Sequence, residues 1–181
     1  MSDDAVRAAH THELSPAALA EFRALLDAAF EGDFSDADWD HGLGGIHAWV
    51  TDGRGVAAHG SVIMRRASHA GRSYRVGYVE AVAVRADRRR QGLGVRVMER
   101  LHEVVDGAYD FGALSASDAG AGLYRSLGWR AWPGRIEAYG PGGVEHLADE
   151  EGTTYLRPAA GRALPDPAAA LQFDWRDGDV M

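Results

Sequence analysis

A strand and the glycine-rich turn after it decide the fold: residues 78–84 read YVEAVAV and residues 89–94 read RRQGLG. The strand is apolar on both faces apart from Tyr78 and Glu80, which is typical of a central strand. The turn opens a helix, because apolar residues recur at helical spacing over 93–105. A helix N-terminus carries about half a positive charge, and glycines let its backbone N–H groups approach a ligand. The turn is therefore suited to a pyrophosphate.

Composition and glycine spacing exclude several common sites. The chain has no cysteine, and all nineteen of its Lys and Arg residues are arginine. Disulfides, cysteine nucleophiles, a lysine Schiff base and the lysine of a nucleotide phosphate loop are therefore excluded. The stretch 92–97, GLGVRV, also lacks the third glycine of a dinucleotide-binding fingerprint.

The flanking sequence predicts an α+β fold with a mixed central sheet flanked by helices. Ser15-Pro16 predicts the start of a first helix that ends near Phe30. The further predicted strands cover 46–50, 56–66, 73–85, 109–116, a start at 129, and 153–157, and the further predicted helices cover 92–106 and 119–127. The segments 134–152 and 158–181 are rich in Gly, Pro and Ala and are left without an assignment.

Length and charge limit the kind of partner. The 181 residues predict a single domain, 1–181. No apolar run is long enough for a membrane span, and the acidic start of the chain is unlike a secretory signal, so we expect a cytoplasmic protein. A net charge of −8 disfavours nucleic acid and membrane surfaces. Acidic segments at 31–40, 145–151 and 174–179 instead favour a cationic ligand.

Glu80 is the candidate for proton transfer. A carboxylate in an apolar strand is costly unless it is paired, solvated or used, and burial would make it a better base. It could equally pair with an arginine such as Arg75 or point into solvent. Both readings stay open.

The motifs together resemble the GNAT N-acetyltransferase superfamily. The strand ending Val82-Ala83-Val84, followed by Arg89-x-x-Gly92-x-Gly94, resembles the acyl-CoA pyrophosphate loop of that superfamily. The resemblance implies a mixed sheet in which two parallel strands, those containing Val82 and Leu114, splay apart around the coenzyme.

A closer resemblance covers nearly the whole chain. The segments 32–34, 38–39, 43–48, 77–80, 112–115 and 174–180 resemble the bacterial aminoglycoside 2′-N-acetyltransferases. This resemblance implies transfer of acetyl from acetyl-CoA to the 2′-amino group of an aminoglycoside antibiotic, hence drug resistance, in a protein that forms a homodimer. Because the chain has no cysteine, we expect the transfer to be direct, in a ternary complex.

The same resemblance assigns residue roles. It implies that Glu80 is the base, that Tyr124 is the acid, and that the backbone N–H of Val82 binds the thioester carbonyl. The implied acetyl-CoA-binding residues are Val82, Ala83, Val84, Arg89, Arg90, Gln91, Gly92, Leu93, Gly94, Val95, Ser115 and Ser117. The implied substrate-binding residues are Asp33, Asp38, Glu80, Ala81, Glu150, Asp179 and Met181.

Several alternatives remain beside this reading. Met181 stands where the family has tryptophan, which leaves kasugamycin, or another polyamine or small metabolite, as an alternative substrate. A catalytically idle acyl-CoA-binding module is a further alternative. An aromatic residue on a helix, such as Tyr124, is more often part of a core than catalytic. No metal is expected, because the eight histidines form no ligand motif, and Ser115 and Ser117 lack the glycines of a hydrolase elbow.

Overall fold

The computed structural model describes residues 5–181, which form two compact units. The first unit holds the residues up to Ile63 together with Val79–Val104, and the second holds Met64–Tyr78 with Val105–Met181. Residues 1–4, on which the expectation about a secretory signal rests, lie outside the described residues. No helix in the described range is both long and apolar enough to cross a membrane.

The described part of the first unit contains three α-helices and an antiparallel set of strands. Its elements are β1 (Arg7–His10), α1 (Pro16–Ala29), α2 (Asp36–His41), β2 (Ile46–Asp52), β3 (Gly55–His69), β4 (Arg72–Val84) and α3 (Leu93–Ala108), of which β3, β4 and α3 continue into the second unit. Strand β2 pairs antiparallel with both β1 and β3. These strands form the wall on which the helices of this unit pack.

Helix α1 begins where the sequence predicts. The Ser15 hydroxyl accepts a hydrogen bond from the Ala18 N–H, and proline occupies the first helical position. Phe22, Leu25 and Leu26 on one face of the helix belong to the buried core of the unit. This core fixes one side of the strands that carry the candidate site.

The second unit is a mixed sheet with one short helix. Its further elements are β5 (Phe111–Ser115), α4 (Ala121–Ser126), β6 (Arg130–Ala131), β7 (Ile136–Gly140), β8 (Gly143–His146), β9 (Thr154–Pro158) and β10 (Leu171–Asp174). β5 pairs parallel with β4, from Val76–Phe111 to Tyr78–Ala113, and antiparallel with β9. β10 pairs parallel with β7 and antiparallel with β3. The predicted α+β class with a mixed sheet, including the parallel pairing of β4 with β5, is confirmed.

The sequence analysis did not predict several helices and strands. Helix α2 lies inside the acidic segment 31–40, where Ser35 and Asp38 form a capping box that starts it. Strand β1, the hairpin of β7 and β8, and strand β10 were also not predicted. The hairpin turn and β10 lie in segments rich in glycine and proline, where periodicity carries little information.

Helix α3 packs closely against β3 at Gly60. A Cβ added to Gly60 would lie 3.0 Å from Val97 Cγ1 and 3.2 Å from both Leu101 Cδ1 and Val82 Cγ2. A larger residue would therefore force α3 and β4 away from β3. Glycine at this position keeps the N-terminal half of α3, and the turn before it, close to the strands.

Candidate active site

The C-terminal part of β4 carries Glu80, the predicted base, and Val82, whose backbone N–H is the predicted donor to the thioester carbonyl. Glu80 is half-buried, and its carbonyl lies 3.4 Å from the Ser61 hydroxyl that donates to it. Ala81 has φ of 53°, a left-handed value that costs roughly 1–2 kcal/mol for a residue with a Cβ. The extended backbone is therefore interrupted between Glu80 and Val82, and the structure around Ala81 has to hold that interruption. Arg75, the alternative partner considered for Glu80, pairs with Asp110.

The basic run between β4 and α3 divides into two pairs of arginines. Asp52 Oδ2 lies 2.6 Å from Arg85 Nη2 and also accepts from Arg88. The Arg85 hydrogen bond holds the pKa of the Asp52 carboxyl well below its usual range. Arg89 and Arg90 are exposed. The first pair anchors the turn, which leaves the second pair as the candidates for binding phosphate.

A ligand can closely approach the backbone at the start of α3. Gly92 has φ of +78°, and a Cβ added there would meet nothing within 4 Å. The first helical hydrogen bond runs from Arg96 N to Gly92 O, so the N–H groups of 93–95 have no acceptor within the helix. Gln91 is held beside them, because its amide oxygen accepts from Arg88 Nε at 2.9 Å. These backbone N–H groups can bind a phosphate.

The first unit also places two of the predicted substrate carboxylates. Asp33 is exposed in the turn before α2, and Asp38 is half-buried in α2. Asp38 Oδ2 accepts from both the N–H and the hydroxyl of Ser35, each at 2.8 Å. One oxygen of Asp38 therefore serves the helix cap, a structural role that the sequence analysis did not assign.

Tyr124 lies in α4 of the second unit. Its side chain is buried, and its ring meets Trp129 edge-on with centroids 6.4 Å apart. Ser117 precedes this helix, and its hydroxyl accepts from Gly120 N at 3.3 Å. Ser117 thus orders the start of α4, whatever it does for a coenzyme.

Glu150 and Ser115 form a contact in the same unit. The Ser115 hydroxyl donates to Glu150 Oε2 at 2.9 Å. Burial raises the pKa of the Glu150 carboxyl, the Ser115 hydrogen bond opposes this, and the negative charge of Asp179 raises the pKa further. A bound cation would favour the ionised form of this carboxyl.

Arg65 holds the C-terminal segment in place. Its guanidinium is fully buried and donates to Val180 O at 2.8 Å and to Asp174 Oδ1 at 2.9 Å. Met181 is buried, with its sulfur 3.9 Å from Arg65 Nη1, whereas Asp179 is exposed and accepts from Met181 N at 3.3 Å. Two predicted substrate residues therefore depend on one buried arginine.

Comparisons with known proteins settle the family. The family described as Acetyltransferase (GNAT) domain matches residues 10–132. The chain is 44% identical, over 177 residues, to an aminoglycoside 2′-N-acetyltransferase of Mycolicibacterium fortuitum, covering 96% of this chain and 90% of the relative. This chain belongs to the aminoglycoside 2′-N-acetyltransferase family of GNAT enzymes. It is an acetyltransferase, and the acetyl donor of such enzymes is acetyl-CoA.

Solved structures confirm the GNAT fold. A GNAT family N-acetyltransferase (YhbS) from Escherichia coli, in complex with CoA, superposes with a TM-score of 0.65 at 18% identity, covering 93% of this chain and 88% of that one. A GNAT family acetyltransferase from Brucella melitensis, in complex with acetyl-CoA, gives a TM-score of 0.59 at 16% identity, covering 92% and 96%. The fold predicted from the strand and turn at 78–94 is therefore the fold of the acetyltransferase family.

The predicted site residues are divided between the two units. The first unit holds 80–84, the turn at 89–95, and Asp33 and Asp38. The second unit holds the remaining predicted residues, which are Ser115, Ser117, Tyr124, Glu150, Asp179 and Met181. Among residues 5–181, no group of three or more His, Asp or Glu side chains is arranged to hold a metal ion.

Sequence reasoning missed two buried polar residues of this acetyltransferase. Arg65 and His59 both lie in β3, among residues that are otherwise mostly apolar and buried. The signal that singled out Glu80, a polar residue inside an apolar strand, applies equally to both and could have found them.

Proposed function

We propose that this chain transfers the acetyl group of acetyl-CoA to the 2′-amino group of an aminoglycoside antibiotic and thereby confers resistance. The observation that carries the proposal is the 44% identity, over 96% of the chain, to a relative named for that activity. We further propose that the protein acts in the cytoplasm, as a homodimer of a single domain, 1–181.

The distribution of charge supports a polycationic substrate. The chain carries 27 acidic and 19 basic residues. In the second unit, Glu150 and Asp179 lie near enough for one charge to raise the pKa of the other. A protonated amino sugar near them would relieve that repulsion. Asp33, Asp38 and Ala81 in the first unit, and Met181 in the second, are the other residues proposed to bind the drug.

The mechanism follows from the need for a free amine. Glu80, acting through water, would take a proton from the substrate ammonium, so that the amine nitrogen can form a bond to the acetyl carbon. The N–H of Val82 would stabilise the negative charge that develops on the carbonyl oxygen, a contribution of typically about 3 kcal/mol. The C–S bond then breaks, and Tyr124 would give its proton to the departing thiolate. Because the chain has no cysteine, no cysteinyl intermediate can form, and we propose direct transfer in a ternary complex.

The donor would bind along the end of β4 and the turn after it. Ala83 and Val84 would pair with the pantetheine arm, and the N–H groups of 92–95 would bind the diphosphate. Arg89, Arg90 and Gln91 flank those groups. Ser115 and Ser117, which lie in the second unit, are the other residues proposed to bind the donor.

The first test is the reaction itself. Thiol release from acetyl-CoA is measured with gentamicin, tobramycin, neamine and kasugamycin, and NMR of the product locates the acetyl group. We expect turnover of the aminoglycosides with modification at the 2′ nitrogen. Turnover of lysine-bearing peptides alone would refute the proposal. Turnover of kasugamycin alone would show that kasugamycin is the substrate instead.

A matched pair of variants tests the base. Glu80→Gln removes the proton acceptor and should lower kcat/KM by about 100-fold, most steeply at low pH. Glu99→Gln, an exposed residue of α3, makes the same chemical change away from the site and should be neutral. An unchanged pH profile in the Glu80 variant would remove Glu80 from the mechanism.

A further inference from the structure

A chain of hydrogen bonds reaches the carbonyl of Ala81 through two buried histidines. Thr11 Oγ1 lies 2.8 Å from His47 Nε2, and His47 Nδ1 lies 3.0 Å from His59 Nε2. His59 Nδ1 lies 3.0 Å from Ala81 O. His47 is 0% exposed and His59 is 1% exposed, so water does not compete for these bonds. All of these groups belong to the first unit.

The donor and acceptor of each hydrogen bond in this chain follow from its final acceptor, the carbonyl oxygen of Ala81. A carbonyl oxygen can only accept, so His59 Nδ1 carries a proton and donates to Ala81 O. Burial lowers the pKa of His59 to about 3 and that of His47 to about 4, so both rings are neutral near pH 7. The Nε2 of His59 is then an acceptor, and His47 Nδ1 donates to it. The Thr11 hydroxyl in turn donates its one proton to His47 Nε2 rather than to Gly45 O, which lies farther away at 3.3 Å, and its oxygen accepts from Gly44 N at 2.9 Å.

The bond to Ala81 O acts on the next residue through the peptide group. The carbonyl of Ala81 and the N–H of Val82 belong to one planar trans peptide, in which they point in opposite directions. A hydrogen bond accepted at the oxygen therefore fixes the direction of the N–H and strengthens it as a donor, because hydrogen bonds in series polarise one another. The left-handed φ of Ala81, at 53°, makes this peptide one whose orientation needs such support.

We propose that His59 is a positioning residue for acetyl transfer: its Nδ1–H orients and polarises the Ala81–Val82 peptide group, so that the Val82 N–H meets the thioester carbonyl. The inference rests on the proposed function, which gives Val82 its role. His47 holds the His59 ring in the donating tautomer, and Phe22 packs against the His59 ring with centroids 4.6 Å apart.

The expected effect is moderate. Removing a whole oxyanion donor costs about two to three powers of ten in kcat. Polarisation changes the strength of a hydrogen bond by about 10–30%. Loss of the His59 donor should therefore lower kcat by about two- to eightfold. Because the change acts on the transition state, the KM for acetyl-CoA should stay within about twofold.

The wild-type protein gives the first measurement. Nitrogen-15 NMR of the histidine rings distinguishes protonated from unprotonated nitrogens. We expect His59 and His47 each to carry a proton on Nδ1 and none on Nε2 at neutral pH. An Nε2-protonated His59 could not donate to Ala81 O, and this result would overturn the proposal without any variant having to fold.

The peptide itself can be observed directly. Carbonyl-13C alanine combined with 15N valine labels only three Ala–Val peptides in this sequence: Ala5–Val6, Ala81–Val82 and Ala83–Val84. In His59→Leu, the Ala81 carbonyl and Val82 amide signals should move upfield, while those of Ala83–Val84 stay in place. An unmoved Ala81–Val82 signal would overturn the proposal.

Kinetics separate positioning from mere support of the fold. His59→Asn keeps an N–H donor at the place of Nδ1 and should recover most of the kcat lost in His59→Leu. His69→Leu removes another buried ring bonded to a backbone carbonyl, that of Asp166, and should leave kcat and the labelled signals unchanged. Equal kcat in wild type and His59→Leu would refute the inference. If the wild type acetylates no aminoglycoside, the proposed function fails, while both NMR measurements still decide the hydrogen bond.

Discussion

Arg65→Met removes the guanidinium that ties the C-terminal segment to β3. The side chain is 1% exposed, and its guanidinium carbon packs against two rings, 4.8 Å from the centroid of Tyr78 and 5.1 Å from that of Phe173. It donates to Asp174 Oδ1, Asp174 O and Val180 O. Methionine fills similar volume beside the rings and supplies no donor, so the variant tests the hydrogen bonds rather than the packing.

The loss of stability can be worked from these contacts. Removing one partner of a buried ion pair costs about 3–5 kcal/mol. The Asp174 side chain is 45% exposed and can regain water, which favours the lower end, about 3 kcal/mol. For a chain of this size, that corresponds to a fall in Tm of about 6–12 °C. The freed segment carries Asp179 and Met181, so the KM for the aminoglycoside should rise while the KM for acetyl-CoA stays the same.

Urea denaturation and separate titrations of the two substrates measure these effects. Arg66→Met is the matched control, because Arg66 is the next residue of β3 and is exposed. Arg65→Lys keeps the charge without the forked donors and should fall between wild type and Arg65→Met. Equal unfolding free energies for the Arg65→Met and Arg66→Met variants would refute the reasoning.

Three further variants or conditions test other parts of the molecule. With pKa values of about 4 for His47 and about 3 for His59, both rings take up protons on unfolding, so lowering the pH from about 6 to about 5 should reduce the unfolding free energy by about 2 kcal/mol. Urea denaturation at each pH should show this slope in wild type but not in a His47→Asn/His59→Asn variant. Gly92→Ala meets no neighbour but strains φ, so it should raise the KM for acetyl-CoA and reduce stability by about 1 kcal/mol. Tyr124→Phe should lower kcat by about 100-fold, and an unchanged kcat would leave Tyr124 a purely packing residue.

The sequence predicted those helices and strands that are specified by residues within or next to the element itself. The cap at Ser15, the apolar strand at 78–84 and the glycines at 92 and 94 each specify a backbone conformation within a few residues, and the structure has α1, β4 and the start of α3 there. The strand β10 carries no such signal. It is held by pairing with β3 and β7, which lie far away in the sequence.

The same limit applies to the site. The four arginines from 85 to 90 look equivalent in the sequence, and only the contact with Asp52 separates the two that anchor the turn from the two that are exposed. Asp38 likewise looks like a free carboxylate, because the cap that it forms with Ser35 depends on a helix that the sequence analysis missed. Composition identified the charged residues, whereas their hydrogen-bond partners depend on tertiary contacts that the sequence does not show.

The clamp of Asp52 on Arg85 and Arg88 has a kinetic consequence. A turn that is already anchored in the free protein loses its conformational entropy during folding, so little ordering is left to occur on association. In stopped-flow experiments, the observed rate constant for acetyl-CoA binding should therefore increase linearly with acetyl-CoA concentration, as for a rigid receptor. It should not reach the plateau that a preceding loop rearrangement would impose.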